Sequence, residues 1–282
     1  MKRVITIQDI SCIGKCSLTV ALPIISALGI ECAIVPTAIL STHTQFKGFT
    51  FRDLTDDIAP IREHWQREGF KFDAIYTGYL GSERQIDLVE EYFKAFKKED
   101  GSCPIIVDPA MADYGKLYTG FNDNFPKAMA KLCSYADVIL PNLSEAALMT
   151  DSEYPGEDAS EEDIIALLDK LKVLGAKNAV ITGVSLSDSE FGFYGVNTET
   201  GEYFKYGAPK VPFRSHGTGD IFASTFTGTY LNGYSIFDSL KKAADYTAAC
   251  IKNTYEDPER VNYAVNFEYE LPGLIKQVLH TH

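Results

Sequence analysis

The chain has 282 residues, of which 45% are hydrophobic, 23% charged and 12% aromatic. That composition excludes a disordered or fibrous chain and allows one large α/β domain or two small ones. The net charge is −13, and no basic run exceeds Lys97-Lys98 or Lys241-Lys242; this argues against nucleic-acid binding, whose affinity comes largely from neutralised phosphates.

The N-terminal residues 1–9 hold an apolar stretch too short for a signal peptide, and residues 4–8 read as a first strand. Residues 17–28 read as a helix with Gly29 just past its end. The apolar stretch 18–30 is broken by Pro23 and Gly29, so no segment is expected to span a membrane, and a cytoplasmic address follows by elimination. Cys12, Cys16, Cys32, Cys103, Cys133 and Cys250 form no CxxC pair and are expected to be reduced. Cys12 and Cys16 lack the second ligand pair of a zinc site.

Residues 32–36, 74–77, 105–107, 138–140 and 179–182 are apolar runs of strand length. Between them lie helical patterns. Ile86, Val89, Phe93 and Phe96 follow one helical face, and Ile164, Leu167, Leu168, Leu171 and Leu174 another, with Ser160 and Asp163 at capping distance. The acidic run 151–163 reads as a solvated loop and helix start, and His64, His280 and His282 as surface residues. Residues 191–196 and 203–206 flank a turn and read as a hairpin; residues 220–231 and 235–251 are helical. Apolar strands alternating with amphipathic helices predict a doubly wound, mostly parallel sheet covered on both faces. No linker or repeat interrupts residues 1–282, so a single domain is expected. In such a sheet, ligands sit beyond the carboxyl ends of the strands. The informative positions are therefore Asp9, His43, Tyr79, Asp108, Asn142 and Thr182.

The sharpest local signal is His216-Gly217-Thr218-Gly219-Asp220 ahead of an apolar helix. Two glycines allow close backbone approach, and the helix start offers free N–H groups to an anion. Asp220 either accepts a substrate proton there or simply complements the helix dipole. The turn resembles the signature of the ribokinase superfamily, and the likeness runs from Ile5 to about Ile251. It implies a three-layer α/β/α fold, an anion hole at Gly217, Thr218 and Gly219, and Asp220 as general base.

Other segments resemble the pyridoxal kinases within that superfamily. Ser41-Thr42-His43-Thr44 is similar to their Ser-Asn-His-Thr, and Thr77-Gly78-Tyr79 to their Thr-Gly-Tyr. Asp108-Pro109-Ala110-Met111-Ala112-Asp113, Gly115-Lys116-Leu117-Tyr118, Pro141-Asn142-Leu143-Ser144-Glu145 and Ile181-Thr182-Gly183 follow in the same order as in that family. The resemblance implies phosphorylation of the 5′-hydroxyl of pyridoxal, pyridoxine or pyridoxamine by ATP. It puts His43, Thr44, Tyr79 and either Asp9 or Ser11 at the substrate. It puts Asp108, Asp113, Tyr118, Asn142 and Thr182 at the nucleotide, with Asn142 and Glu145 serving Mg²⁺. It also implies a monovalent cation (K⁺ or Na⁺) near the nucleotide, and a homodimer. Ile13 and Leu40 are expected to border the slot for the ring.

Asn142 and Glu145 have capping-box spacing too, so a purely structural role is open for them. The chain departs from the family at Gln45-Phe46, at Ala112 and at Asp9, where relatives often have Ser. Hydroxymethylpyrimidine kinases share the His-Gly-Thr-Gly turn but carry Cys in place of Asp220. A silent B6-binding or sensing protein on the same fold, and a sugar kinase, are the other readings. Gly14-Lys15-Cys16 does not complete a P-loop, and no GxGxxG follows the first strand.

Overall fold

Strand β1 (Arg3–Ser11) sets the plan, because residues 4–9 are all buried. A strand covered on both faces belongs inside a parallel sheet. In the computed structural model, which describes residues 1–279, it pairs in parallel with β2 (Glu31–Leu40), and the edge strand β3 (Phe51–Asp53) runs antiparallel to β2. On its other side β1 pairs with β4 (Ala74–Thr77), which is followed by β5 (Ile105–Val107). A short hairpin, β6 (Ala112–Asp113) and β7 (Lys116–Leu117), stands apart from the main sheet. Strands β8 (Val138–Ile139) and β9 (Asn178–Ser185) complete the parallel set. The antiparallel pair β10 (Glu190–Asn197) and β11 (Tyr203–Pro209) closes the far edge, giving nine strands in the order β11-β10-β9-β8-β5-β4-β1-β2-β3.

Helices cover both faces. Ile5, Ile7, Ile75 and Val107 pack against α2 (Thr55–Arg67), α3 (Glu83–Phe96), α4 (Phe125–Cys133), α5 (Leu143–Met149) and α6 (Glu161–Lys172). Val4, Tyr76 and Ile106 on the opposite face pack against α1 (Leu18–Ala27), α7 (Thr218–Leu231) and α8 (Ile236–Glu256). Helix α9 (Leu271–Leu279) adds to that side. The expected α/β/α layering, mostly parallel sheet and capping box at Ser160 and Asp163 are all present. All six cysteines are free thiols, and His64 is exposed. His280 and His282 lie outside the described residues.

Three strands outrun the apolar stretches that announce them. β1 continues to Ser11, β2 to Leu40 and β9 to Ser185. The ends of β1 and β9 carry polar residues beyond the apolar run, whereas β2 ends on Ala38, Ile39 and Leu40. Asp9, Ser11 and Thr182 therefore lie on strands; pairing fixes the direction of Ser11 and Thr182, and Asp9 sits at a bulge in the β1–β2 register.

Gln85 shows how the turns above the sheet are held. It is fully buried on α3. Its Oε1 accepts from the Gly81 N–H at 2.7 Å, and its Nε2 donates to the Thr37 carbonyl at 3.0 Å and the Thr55 hydroxyl at 2.9 Å. One amide thus joins the turn after β4, strand β2 and the start of α2. Gln85→Leu strands these partners without water, and is expected to cost about 2–4 kcal/mol in urea unfolding with an unchanged m-value.

Candidate active site

The carboxyl ends of the parallel strands face the first turn of α7. Gly217 begins that helix at φ 83°. A Cβ there would lie 2.2 Å from the Lys15 carbonyl oxygen, so the turn seats backbone against backbone and only glycine fits. Gly219 differs. Its backbone is ordinary helix, and an added Cβ would meet nothing within 4 Å. It stands in the first turn of α7, whose N–H groups no helical carbonyl can satisfy, at the positive end of the dipole. Asp220 sits in the same turn and accepts a hydrogen bond from the Ser17 backbone N–H. Burial pushes its carboxyl up to about 7; the charge of Asp9 adds to the rise and the Ser17 N–H opposes it. A carboxylate so placed can accept a proton from a hydroxyl near neutral pH.

Residues 12–17 form the loop that carries this seat. Gly14 (φ 122°), Lys15 (φ 52°) and Ser17 (φ 51°) all occupy the left-handed side of backbone space. A Cβ on Gly14 would strike the His43 ring at 2.0 Å. His43 is buried with both nitrogens engaged: Nε2 lies 2.9 Å from the Tyr263 carbonyl, and Nδ1 accepts from the Gln45 N–H at 3.3 Å. In that pairing the ring has Nε2 facing an acceptor and Nδ1 a donor. The His216 ring stacks on it at 4.8 Å between centroids, and burial depresses the His216 pKa. Phe46 and Tyr263 extend the aromatic group. Lys15 Nζ reaches Asn266 at 3.1 Å and Glu268 at 2.9 Å, tying the C-terminal segment onto the same loop.

Asp9 and Ser11, the two sequence candidates at the ring, are a pair: the Ser11 hydroxyl donates to Asp9 at 3.0 Å. Burial raises the Asp9 pKa against the Ser17 and Ser11 hydrogen bonds. Tyr79 is half-buried, with its ring 5.7 Å from that of Phe121 and its hydroxyl pushed up to about 12 by burial, then by Asp9 and Asp53. Leu40 is buried, whereas Ile13 and Thr44 are exposed in the neighbouring loops. Cys16 adjoins Asp220 and Asp9; burial above all, and then these two charges, raise its thiol pKa and leave it a poor nucleophile.

The second half of the site gathers around α5. Glu145 accepts from the Asn142 N–H at 2.8 Å and the Met111 N–H at 3.1 Å. Asn142 accepts from the Glu145 N–H at 2.9 Å, so the capping box is complete. The Asn142 amide also donates to the Ala112 carbonyl at 2.8 Å and to Asp113 at 3.3 Å, and the Tyr118 hydroxyl donates to Asp113 at 2.9 Å. Asn142 forms a parallel bridge with Thr182, whose N–H donates to the Pro141 carbonyl at 2.8 Å. Asp108 and Glu145 are both buried and held well above the usual carboxylate range, by burial first; Asp220 and Asp113 act next on Asp108, and Asp108 on Glu145. Asp9, Asp108, Asp113, Glu145 and Asp220 thus put five acidic side chains around one cleft. Among the described residues no three His, Cys, Asp or Glu side chains form a metal cage. The donor set fits a hard cation that completes its shell with phosphate oxygens and water, as Mg²⁺ does.

Sequence reading passed over several residues that the fold brings here. Tyr263 arrives from a distant segment to hold His43, and no motif marks it; Phe46, three residues from His43, packs on both rings. Arg214, two residues before His216, reaches across to Tyr114 beside Asp113. A lone cation just ahead of the glycine turn in so acidic a chain was the available signal.

The residues from 22 to 265 match the family model for phosphomethylpyrimidine kinase. Among solved structures, a Bacteroides thetaiotaomicron protein assigned to the phosphomethylpyrimidine kinases, in a crystal form with pyridoxal, is 36% identical; the match covers 97% of this chain and 95% of that one, with a TM-score of 0.90. The pyridoxal kinase of Lactobacillus plantarum is 30% identical, with 100% and 99% of the chains covered and a TM-score of 0.90. A pyridoxal kinase of Arabidopsis thaliana is 25% identical over 275 residues, spanning 93% of this chain and 85% of the plant protein. With the glycine turn, Asp220 and the strand-end residues in the same order, the chain belongs to the phosphomethylpyrimidine kinase family and, within the ribokinase superfamily, to its pyridoxal kinases.

Proposed function

We propose that the protein transfers the γ-phosphoryl group of ATP to the 5′-hydroxymethyl oxygen of pyridoxal, pyridoxine or pyridoxamine. The observation that carries this reading is the first turn of α7, where Gly219 has open space beside it and Asp220 follows directly in the chain. Phosphoryl transfer requires placement and charge neutralisation more than covalent chemistry. The hydroxyl oxygen bonds to the γ-phosphorus, the bridging bond to the β-phosphate breaks, and ADP leaves. Asp220 takes the hydroxyl proton. The N–H groups at Gly217, Thr218 and Gly219 bind the charge on the transferring group.

Asp9, Ser11, His43, Thr44 and Tyr79 are proposed to hold the vitamer, and Asp108, Asp113, Tyr118, Asn142 and Thr182 the nucleotide. Mg²⁺ bound with ATP, near Asn142 and Glu145, supplies charge neutralisation on the phosphates. The buried acids favour this arrangement, because a cation offsets the burial, and after it the neighbouring carboxyl charges, that raise the Asp108 and Glu145 pKa values. A monovalent cation beside the nucleotide, a homodimer, a cytoplasmic address and the action of residues 1–282 as one kinase domain complete the proposal. No helix among the described residues is long and apolar enough to cross a membrane.

Three outcomes test the reading. Gly219→Ala meets no steric obstacle in the protein, so the fold is expected to gain about 0.5–1 kcal/mol from helix propensity. Turnover should nevertheless fall at least about tenfold, because the methyl group intrudes on the phosphoryl group. Full activity in this variant places the anion elsewhere.

Asp220 must be ionised to accept a proton, and its pKa is raised to about 7. Below that pH kcat/KM should drop about tenfold per pH unit, with a plateau above it. Asp220→Asn should remove that limb and lower the rate about 10²–10⁴-fold. A flat wild-type profile between about pH 5.5 and 8 removes Asp220 from the proton transfer.

Finally, initial rates with pyridoxal, pyridoxine, pyridoxamine, hydroxymethylpyrimidine and ribose, each with MgATP, should favour the B6 group. The flat ring suits the Tyr79 wall, and ribose has no aromatic face. Faster turnover of hydroxymethylpyrimidine than of every B6 vitamer overturns the substrate assignment and leaves the kinase standing.

A further inference from the structure

Arg214 occupies an unusual position for a surface cation. Its side chain is 67% exposed, yet its guanidinium touches two other segments of the chain. It forms an ion pair with Glu157, whose side chain is 45% exposed. It also lies 5.9 Å from the Tyr114 ring centroid, with one nitrogen 3.5 Å from the Tyr114 hydroxyl. Tyr114 is the tip of the β6–β7 hairpin, next to Asp113, and is itself 60% exposed at φ 52°. That hairpin is anchored, since the Gly115 N–H donates to the Ser144 hydroxyl at 2.8 Å and Tyr154 packs on Gly115. In sequence Arg214 precedes Gly217 by three residues. One guanidinium therefore bridges the glycine turn and the acidic hairpin, the two halves between which a nucleotide must lie.

The charge balance gives this bridge a purpose. Five carboxyl groups surround the cleft, and a triphosphate adds more negative charge. The other cation at the glycine turn, Lys15, is engaged by Asn266 and Glu268 on the His43 side. We propose that Arg214 is a phosphate-binding residue of the nucleotide site, held on Glu157 and Tyr114 until the phosphates of an incoming nucleotide take it over. The proposal rests on the kinase reading above and names a residue that reading does not use.

The exchange is energetically easy. An ion pair this exposed contributes little, because solvent screens it and two long side chains must be ordered to keep it. A guanidinium on a phosphate makes two parallel charge-assisted bonds, which is the stronger arrangement. Tyr114 keeps the cation near the site in both states through its ring face.

Binding of the β,γ-methylene analogue of ATP with Mg²⁺, followed by calorimetry, tests this in the full chain. Arg214→Ala should weaken binding about tenfold or more, whereas pyridoxal binding should be unchanged. Glu157→Gln leaves the guanidinium in place without its competitor, and should tighten the analogue about two- to fivefold. The opposite directions are decisive. A clasp that merely braces the loops predicts weaker binding in both variants, and that result, or unchanged affinity in Arg214→Ala, overturns the proposal. Should Arg214→Ala not fold, Glu157→Gln decides alone: tighter binding supports the role, equal or weaker binding ends it. Wild-type protein that binds the analogue yet phosphorylates no vitamer overturns the kinase reading instead, and the binding data still judge Arg214.

Discussion

The seat of Gly217 on the Lys15 carbonyl organises the rest of the site. There is no room for a single methyl group between them, so the start of α7 and the loop of residues 12–17 move as one body. Asp220 then meets the Ser17 N–H without any adjustable side chain intervening. The same loop passes Gly14 under the His43 ring, and His43 carries His216 on its other contacts. Two glycines, each excluded from substitution by a different neighbour, thereby lock the Asp220 turn to the His43 ring. Interactions between backbones make this frame rigid, since they lose no rotamer freedom when ligands come and go.

Around that frame the electrostatics are deliberately unbalanced. Burial holds Asp9, Asp108, Asp113, Glu145 and Asp220 above the ordinary carboxylate range. Asp9, Asp113 and Glu145 are held by hydrogen bonds, and none of the five forms an ion pair with lysine or arginine among the described residues. Such an assembly costs stability in the free protein. It also means that binding of a cation with the nucleotide is favoured by more than contact, because every neighbouring acid gains from the added positive charge.

The layering was legible because each parallel strand is an unbroken apolar run and each covering helix repeats its apolar face. Strand lengths were less legible. Apolar runs end where the core ends, but β1, β2 and β9 run on beyond it, with Ser11 and Thr182 still paired and Asp9 at a bulge between Gln8 and Ile10. Strands of two or three residues such as β3, β6 and β7 are too short to show a period, and the surface helix α2 interrupts its own pattern with Pro60. Motifs marked Asp220, Asn142 and Glu145, for which spacing alone left two meanings; the capping box is now visible at the latter two. Tyr263 and Arg214 escaped because their contacts are long-range and carry no local spacing.

The hold of Tyr263 on His43 has a consequence for synthesis of the protein. The last strand of the sheet ends at Pro209, whereas the carbonyl that orients His43 and the carboxylate that ties Lys15 belong to residues 263 and 268. Roughly fifty residues separate them, which a ribosome adds in about 3–10 s. During that interval a nascent chain has every strand it needs, but His43 and Lys15 lack these partners. The geometry around His43 is therefore completed after the sheet, by a segment that contributes nothing to it.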